Sequence, residues 1–269
     1  MKYEMLVLDL DGTLTNSRKE ITPATKQALI EIQEAGKKVV LASGRPTCGV
    51  VPLAKELELD RFGSYILSFN GALIIDCATN KPVYNKTLPR EVIAPIFKYT
   101  KNYPGLDIIS YENDCVISGI KVNEYTEKEM FINKMPVKEV DNFVEYLDFP
   151  VNKMLIPGEP AVLEKLMPEL KRKFHSLLNI YRSEPFFLEI MPQKIDKANS
   201  LQKLLNSIGL TANSMICCGD GFNDVSMIEY AGLGVAMENA QPIVKEHADF
   251  ITHSNDDDGI LHVINTFMR

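Results

Sequence analysis

The sequence predicts an α/β protein: a doubly wound, Rossmann-like parallel-sheet core with an inserted α+β domain. Three observations carry this expectation. Short apolar runs alternate with helical patterns at both ends of the chain, this rhythm fails in the middle, and several apolar runs empty into loops rich in Asp and Gly. A length of 269 residues leaves room for two domains. The expected division is a core of residues 1–83 and 192–269 around an insert of residues 84–191.

Residues 5–8, Met-Leu-Val-Leu, read as a fully buried strand. Thr22 and Pro23 supply an N-cap and a first-turn proline for a helix on which Ala24, Ala28, Ile32 and Ala35 recur, with Gly36 as its stop. Residues 39–42 form a second buried strand that ends in Ser43-Gly44-Arg45-Pro46, and Val50, Val51, Leu53, Ala54 and Leu57 mark the next helix. A third strand over residues 65–68 closes at Asn70-Gly71. This βαβαβ order implies parallel strands joined by right-handed crossovers.

From about Pro82 strand-like pieces follow one another at 107–110 and 115–117 without regular helices between them. Further strands are expected at 153–156, 178–182 and 186–191, and Pro168 is expected to split the helical run from Pro160 into two short helices. The α/β rhythm resumes with a helix carrying Leu201, Leu204, Leu205 and Ile208, which stops at Gly209. A strand over 215–218 then runs into Gly219-Asp220-Gly221-Phe222-Asn223-Asp224, and short strands follow at 234–236 and 250–252. The acidic run Asp256-Asp257-Asp258 reads as a solvated loop before the last helix.

Composition narrows the function. Hydrophobic residues at 45% and charged residues at 24% suit a globular core, and a net charge of −7 argues against a nucleic-acid footprint or an anionic membrane partner. No apolar run approaches the roughly 20 residues of a membrane span, and the N-terminus lacks a signal-peptide pattern. The five cysteines form no C-x-x-C pair and read as free thiols in a reducing cytosol, so a cytoplasmic protein is expected. Oligomeric state is left open.

Asp9 and Asp11 leave the end of a buried strand, where unpaired carboxylates are costly to desolvate. Metal binding or acid–base chemistry justifies such a placement, although Asp-Gly is also a common turn. Asp220 and Asp224 repeat the pattern after another buried strand. Loops at the carboxyl ends of parallel strands share one crevice, so the four acids can meet as hard oxygen ligands for Mg²⁺. The four histidines are scattered and show no zinc spacing.

Ser43 and Gly44, just before a helix, can present a hydroxyl and amide N–H groups to an anion, or merely cap that helix. Lys197 opens a helix, where a cation opposes the dipole; a solvated side chain and an anion-binding one both remain open. Together these groups fit phosphoryl transfer, with Asp9 attacking phosphorus and Asp11 as acid and base. That role requires Asp11 to hold a proton, and neighbouring carboxylates and burial are expected to raise its pKa.

These motifs, in this order, resemble those of the haloacid dehalogenase superfamily, specifically its Cof-like sugar-phosphate phosphatases with a type-II-B cap, over nearly the whole chain. Residues 9–13 match D-x-D-G-T, Ser43 stands in the second motif, Lys197 in the third, and residues 219–224 match G-D-x-x-N-D. The resemblance implies Asp9 as nucleophile and Mg²⁺ ligand, and Asp11 as acid/base with its carbonyl on the metal. It adds Asp220 as a further ligand supported by Asp224. It assigns phosphate binding to Leu10, Ser43, Gly44, Lys197 and Asn223, and leaves Arg45 and Asn70-Gly71 without settled roles. The insert corresponds to a mobile cap hinged near 82–83 and 191–192, and residues 181–190 are similar to the segment that returns from cap to core.

The function so implied is a Mg²⁺-dependent phosphomonoesterase for small phosphorylated metabolites, sugar phosphates foremost, through an aspartyl-phosphate. A phosphomutase of the same superfamily and a non-catalytic sugar-phosphate sensor are the alternatives. Glu112, Asn113, Lys153 and Arg182 are polar insert residues that could meet a leaving group, and are read as ordinary solvated side chains.

Overall fold

The computed structural model describes residues 2–269. Among them no helix is long and apolar enough to cross a membrane. The chain divides into two compact units, Met1–Tyr84 with Asp196–Arg269, and Asn85–Ile195.

The first unit begins with β1 (Met5–Leu8), α1 (Pro23–Glu34), β2 (Lys38–Ala42), α2 (Thr47–Glu56), α3 (Leu59–Phe62), β3 (Tyr65–Ser68), β4 (Leu73–Asp76) and β5 (Lys81–Asn85). The second holds α4 (Arg90–Lys101), β6 (Ile109–Glu112), β7 (Cys115–Ser118), α5 (Glu124–Asn133), β8 (Val137–Glu139), α6 (Phe143–Tyr146), β9 (Met154–Pro157), α7 (Pro160–Phe174), β10 (Leu178–Glu184) and β11 (Phe187–Pro192). The chain returns to the first unit with α8 (Lys197–Ile208), β12 (Met215–Gly219), α9 (Val225–Tyr230), β13 (Leu233–Ala236), α10 (Pro242–Glu246), β14 (Phe250–Ile251) and α11 (Gly259–Phe267).

In the first unit the strands run in the order β14-β13-β12-β1-β2-β3-β4-β5. The pairs from β14 to β3 are parallel, and β4 turns back antiparallel on β3. Because strand direction is shared while connections run outward both ways from β1, the order reverses beside β1, which is where an open α/β sheet forms its binding crevice. Alternating side chains explain the double winding. Leu6 and Leu8 join a core with α1, α2 and α11, whereas Met5 and Val7 join another with Leu201, Leu204 and Leu205 of α8. Cys217 and Cys218 part in the same way between these two cores.

Thr22 caps α1, its hydroxyl accepting from Thr25 N at 3.3 Å. The buried stripe of that helix is Thr25, Ala28, Leu29, Ile32 and Gln33; of the expected series Ala28 and Ile32 are buried, whereas Ala24 and Ala35 are exposed. Gln33 is drawn inward because its amide bridges Leu57 O and the Ser64 hydroxyl.

The second unit is a six-stranded sheet, β10-β11-β9-β6-β7-β8, antiparallel except where β8 pairs with β7. Helices α4 and α7 bury Val92, Ile93, Ile96, Leu163, Leu166, Leu170 and Phe174 in its core. One expectation fails here. Pro168 does not split α7, which runs unbroken for 15 residues. Pro168 is exposed, so water can satisfy the carbonyl its ring deprives of a partner, while the apolar stripe continues across it. No helix stands between β6 and β7, as expected, and α5 follows β7; it buries Thr126, Glu129 and Asn133 and so shows no apolar stripe. The second unit extends past β11, with Lys86 Nζ donating to Gln193 O at 2.6 Å.

Candidate active site

The four chemistry-bearing segments converge at the carboxyl end of the parallel sheet in the first unit. Asp9 follows β1 directly, its N–H donating to Cys218 O at 3.0 Å. Asp220 follows β12, and Asp224 lies in the short turn after it. Carboxylate oxygens of Asp9, Asp220 and Asp224 all lie within 4.8 Å of one another.

Lys197, the first residue of α8, is fully buried between two of these acids. Its ammonium donates to Asp9 Oδ1 at 2.6 Å, Asp224 Oδ1 at 2.6 Å and Ala42 O at 2.8 Å. All three of its protons are engaged, so this is not the solvated side chain that one reading allowed. Burial alone would depress its pKa, but Asp224 and Asp9 outweigh that and raise it. Asp196 caps the helix at the same point, accepting from Asn199 N at 2.8 Å.

Three carboxylates against one ammonium leave the cluster two negative charges in excess. Burial and the Asp224 charge raise the Asp9 pKa well above the carboxylate range, against the pull of Lys197. Burial, with Asp224 adding to it, moves Asp220 up to about 6, although Thr13 Oγ1 donates to its Oδ1 at 2.7 Å. This donor set, hard oxygens with unpaid negative charge, fits a divalent cation. Asp224 is the most fully occupied of the three. Its Oδ1 takes Lys197, and its Oδ2 accepts from the amides of Asp220 at 3.0 Å and Gly221 at 2.9 Å.

Asp11 stands apart from this cluster. Arg45 grips it in a two-pronged pair, Nε to Oδ2 at 2.8 Å and Nη2 to Oδ1 at 2.6 Å, and Lys19 Nζ adds a contact of 2.8 Å. Burial would raise the Asp11 pKa, but the hydrogen bonds and charge of Arg45, with those of Lys19, lower it. The expected upward shift is therefore reversed: the partners of Asp11 are cations, not the neighbouring carboxylates.

The anion-binding candidates line up as follows. Ser43 is buried, and its hydroxyl oxygen accepts from Arg45 N at 3.1 Å, which leaves its proton to donate elsewhere. The N–H groups of Leu10 and Gly44 have no hydrogen-bond acceptor among the described residues. Asn223 Nδ2 donates to Asn70 Oδ1 at 3.0 Å, and an added Cβ at Gly44 would lie 3.1 Å from the same oxygen. Phe69 and Asn70 both take positive φ, 52° and 53°, followed by Gly71 at 104°. Two non-glycine residues in that region mark stored strain, of the kind found where a loop must present specific groups.

Several roles were missed by the motifs. Thr13 holds Asp220 and Lys19 holds Asp11; only the threonine stands inside a motif. Asp256 and Asp258 are not simply solvated: Asp256 accepts from Ser17, and Asp258 from the Thr22 and Thr25 hydroxyls. In the second unit Lys153 is buried, not solvated, and pairs with Glu189 at 3.1 Å over the Tyr111 ring.

Comparison with known proteins agrees with this arrangement. The family model for haloacid dehalogenase-like hydrolases matches residues 6–264. A crystal structure of a haloacid dehalogenase-like hydrolase from Bacteroides thetaiotaomicron superimposes with a TM-score of 0.95 at 46% identity, covering 98% of this chain and 99% of that one. The crystal structure of TM0651 from Thermotoga maritima gives a TM-score of 0.88 at 29% identity, over 99% and 98% of the two chains. The Bacillus subtilis 5-amino-6-(5-phospho-D-ribitylamino)uracil phosphatase YcsE is 30% identical over 97% of this chain and 94% of its own. The chain belongs to the haloacid dehalogenase-like hydrolase family.

Proposed function

We propose that the protein is a Mg²⁺-dependent phosphatase that hydrolyses small phosphorylated metabolites, sugar phosphates foremost, through an aspartyl-phosphate on Asp9. The observation that carries this reading is the cluster of buried Asp9 and Asp224, both paired with Lys197, and half-buried Asp220 beside them. The family match and the phosphoribityl-bearing substrate named for YcsE support the same reaction class.

Asp9 and Asp220 each keep one carboxylate oxygen without a hydrogen bond among the described residues, and would hold the cation, with the Asp11 carbonyl beside them. Asp224, saturated by Lys197 and two amides, would orient them from behind. Bound Mg²⁺ supplies positive charge that offsets repulsion between the phosphate dianion and these carboxylates.

The chain's own residues do the rest. The Leu10 and Gly44 amides, the Ser43 hydroxyl and Asn223 bind phosphate oxygens, and Lys197, buried beside Asp9, adds positive charge to the same site. A carboxylate oxygen of Asp9 attacks phosphorus as the ester oxygen departs, and Asp11 gives that oxygen its proton. In the second step Asp11 takes a proton from water as the water oxygen attacks phosphorus, which frees phosphate and restores the Asp9 carboxylate. Arg45 and Lys19 hold Asp11 in the ionised form suited to that second step. The first step needs Asp11 protonated, hence released from Arg45.

The test is phosphate release from a panel of sugar phosphates with and without Mg²⁺. Metal-dependent release from some members, lost in Asp9→Asn, is the expected result. Release that survives in Asp9→Asn would refute the assigned nucleophile, and no release by folded wild type from any phosphomonoester would refute the activity.

A further inference from the structure

The acidic loop near the C-terminus reaches back more than 200 residues to grip the segment that follows Asp9. Asn239, just after β13, donates from Nδ2 to Gly12 O at 2.7 Å, and its Oδ1 accepts from Asn255 N at 3.0 Å. Asn255 Nδ2 donates to Thr15 O at 2.9 Å. Asp256 takes Ser17 N at 2.8 Å and Ser17 Oγ at 2.5 Å. Asp258 accepts from Thr22 and Thr25, completing a row of contacts along residues 12–25.

We propose that Asn239, Asn255 and Asp256 form a positioning clamp that sets where the catalytic loop holds Asp11 and Asp220, an inference resting on the phosphatase reading above.

Two routes lead from the clamp to the chemistry. Gly12 sits against Asp220 so closely that an added Cβ would lie 2.4 Å from Asp220 Oδ2, so a shift of Gly12 moves that carboxylate. Residues 16–20 close a tight turn in which Asn16 Oδ1 accepts from Arg18 N at 2.9 Å and Glu20 N at 3.1 Å. That turn holds Lys19 at φ 63°, a costly conformation for lysine, and so delivers its ammonium to Asp11. The clamp grips the chain just before this turn at Thr15 and within it at Ser17.

Magnitudes separate positioning from stability. Asn239 and Asp256 are exposed, and such contacts carry little of the fold's stability. Misplacing a catalytic group by an ångström costs on the order of 100-fold in rate. A clamp that positions therefore shows a large effect on kcat beside a small effect on melting.

The experiment compares wild type with the Asn239→Ala/Asn255→Ala double variant, Asp256→Ala, Asp256→Asn and Asp257→Ala. Phosphate release from a chromogenic phosphomonoester gives kcat and KM, thermal melting gives stability, and calorimetry gives Mg²⁺ affinity. Asp257 is the control, since among the described residues its carboxylate bonds only to Ser254 in its own loop. We expect the double variant to lose about 10-fold or more in kcat with KM changed less than about 2-fold. Mg²⁺ affinity should fall with it, Asp256→Asn should restore most of what Asp256→Ala loses, and Asp257→Ala should match wild type. A double variant with wild-type kcat, or with kcat falling only as far as its folded fraction, overturns the clamp. Wild type that binds Mg²⁺ but releases no phosphate counts against the phosphatase reading alone. Mg²⁺ affinity then decides the clamp: weaker in the double variant supports it, and equal overturns it. Wild type with neither property overturns both.

Discussion

Asp9 and Asp11 leave the same strand two residues apart, yet their surroundings differ in kind. The Asp9 side chain is 11% exposed and shares a buried ammonium with Asp224, while the Asp11 side chain is 38% exposed between Arg45 and Lys19. The buried cluster has more negative charge than its lysine can balance; the open one has two cations on one carboxylate. The pKa directions follow, upward for Asp9 and Asp220 and downward for Asp11. Strand alternation alone would point Asp9 and Asp11 the same way, but β1 ends at Leu8 and the chain turns at Gly12, whose φ is 88°, so the two carboxylates meet different neighbours. In the proposed reaction the first cluster takes up a cation, and Asp11 must part from Arg45.

Variants can break this comparison from the buried side first. Asp9→Asn should lower kcat by about 10⁴-fold or more while the protein still melts cooperatively, because the nucleophile is lost and its shape is kept. Steady-state phosphate release and thermal melting check both halves. Lys197→Met should cost about 3 kcal/mol or more, since removing one partner of a buried charge set leaves the others unpaired. Chemical denaturation of the metal-free protein measures that loss.

The open side should respond in activity more than in stability. Asp11→Asn should lower kcat by roughly 10²- to 10⁴-fold, the range for lost acid–base catalysis. Its denaturation midpoint should move little, since partly exposed ion pairs contribute modestly. A large loss of stability in Asp11→Asn would erase the contrast between the two clusters.

The pH dependence carries opposite signs in the two clusters. Asp220 has a raised folded pKa, about 6, so the folded state binds its proton more readily than the unfolded chain does. Its contribution therefore favours the metal-free fold at low pH and is lost as pH rises from its unfolded value through about 6. Mg²⁺ should reverse that loss, and its thermal stabilisation should grow between pH 5 and pH 7. Asp11, with its pKa lowered, contributes stability that is present above its unfolded value and disappears as pH falls through the folded one. Melting curves across pH, with and without Mg²⁺, separate the two.

Much of the core was legible in the sequence because buried parallel strands are near-continuous apolar runs, and β1, β2, β3 and β12 fall on them. The loops after β1 and β12 were legible because carboxylates are expensive there. The charge states were not. Arg45 lies 34 residues from Asp11 and Lys197 lies 188 from Asp9, and only the folded sheet makes them neighbours. Helix α5 escaped because it buries Thr126, Glu129 and Asn133, so no apolar period announces it. Pro168 misled because an exposed proline can lose its hydrogen bond to water without ending the helix. The acidic run at 256–258 looked like a solvated loop because its partners, Ser17, Thr22 and Thr25, lie at the other end of the chain.

Calorimetric titration of Mg²⁺ at pH 7 into wild type, Asp220→Asn and Asp11→Asn tests the central claim most directly. One site is expected in wild type, with affinity about 10- to 100-fold weaker in Asp220→Asn and close to wild type in Asp11→Asn, whose carbonyl is untouched. Equal affinity in wild type and Asp220→Asn, or a greater loss in Asp11→Asn, would contradict the assignment of the buried cluster as the cation site.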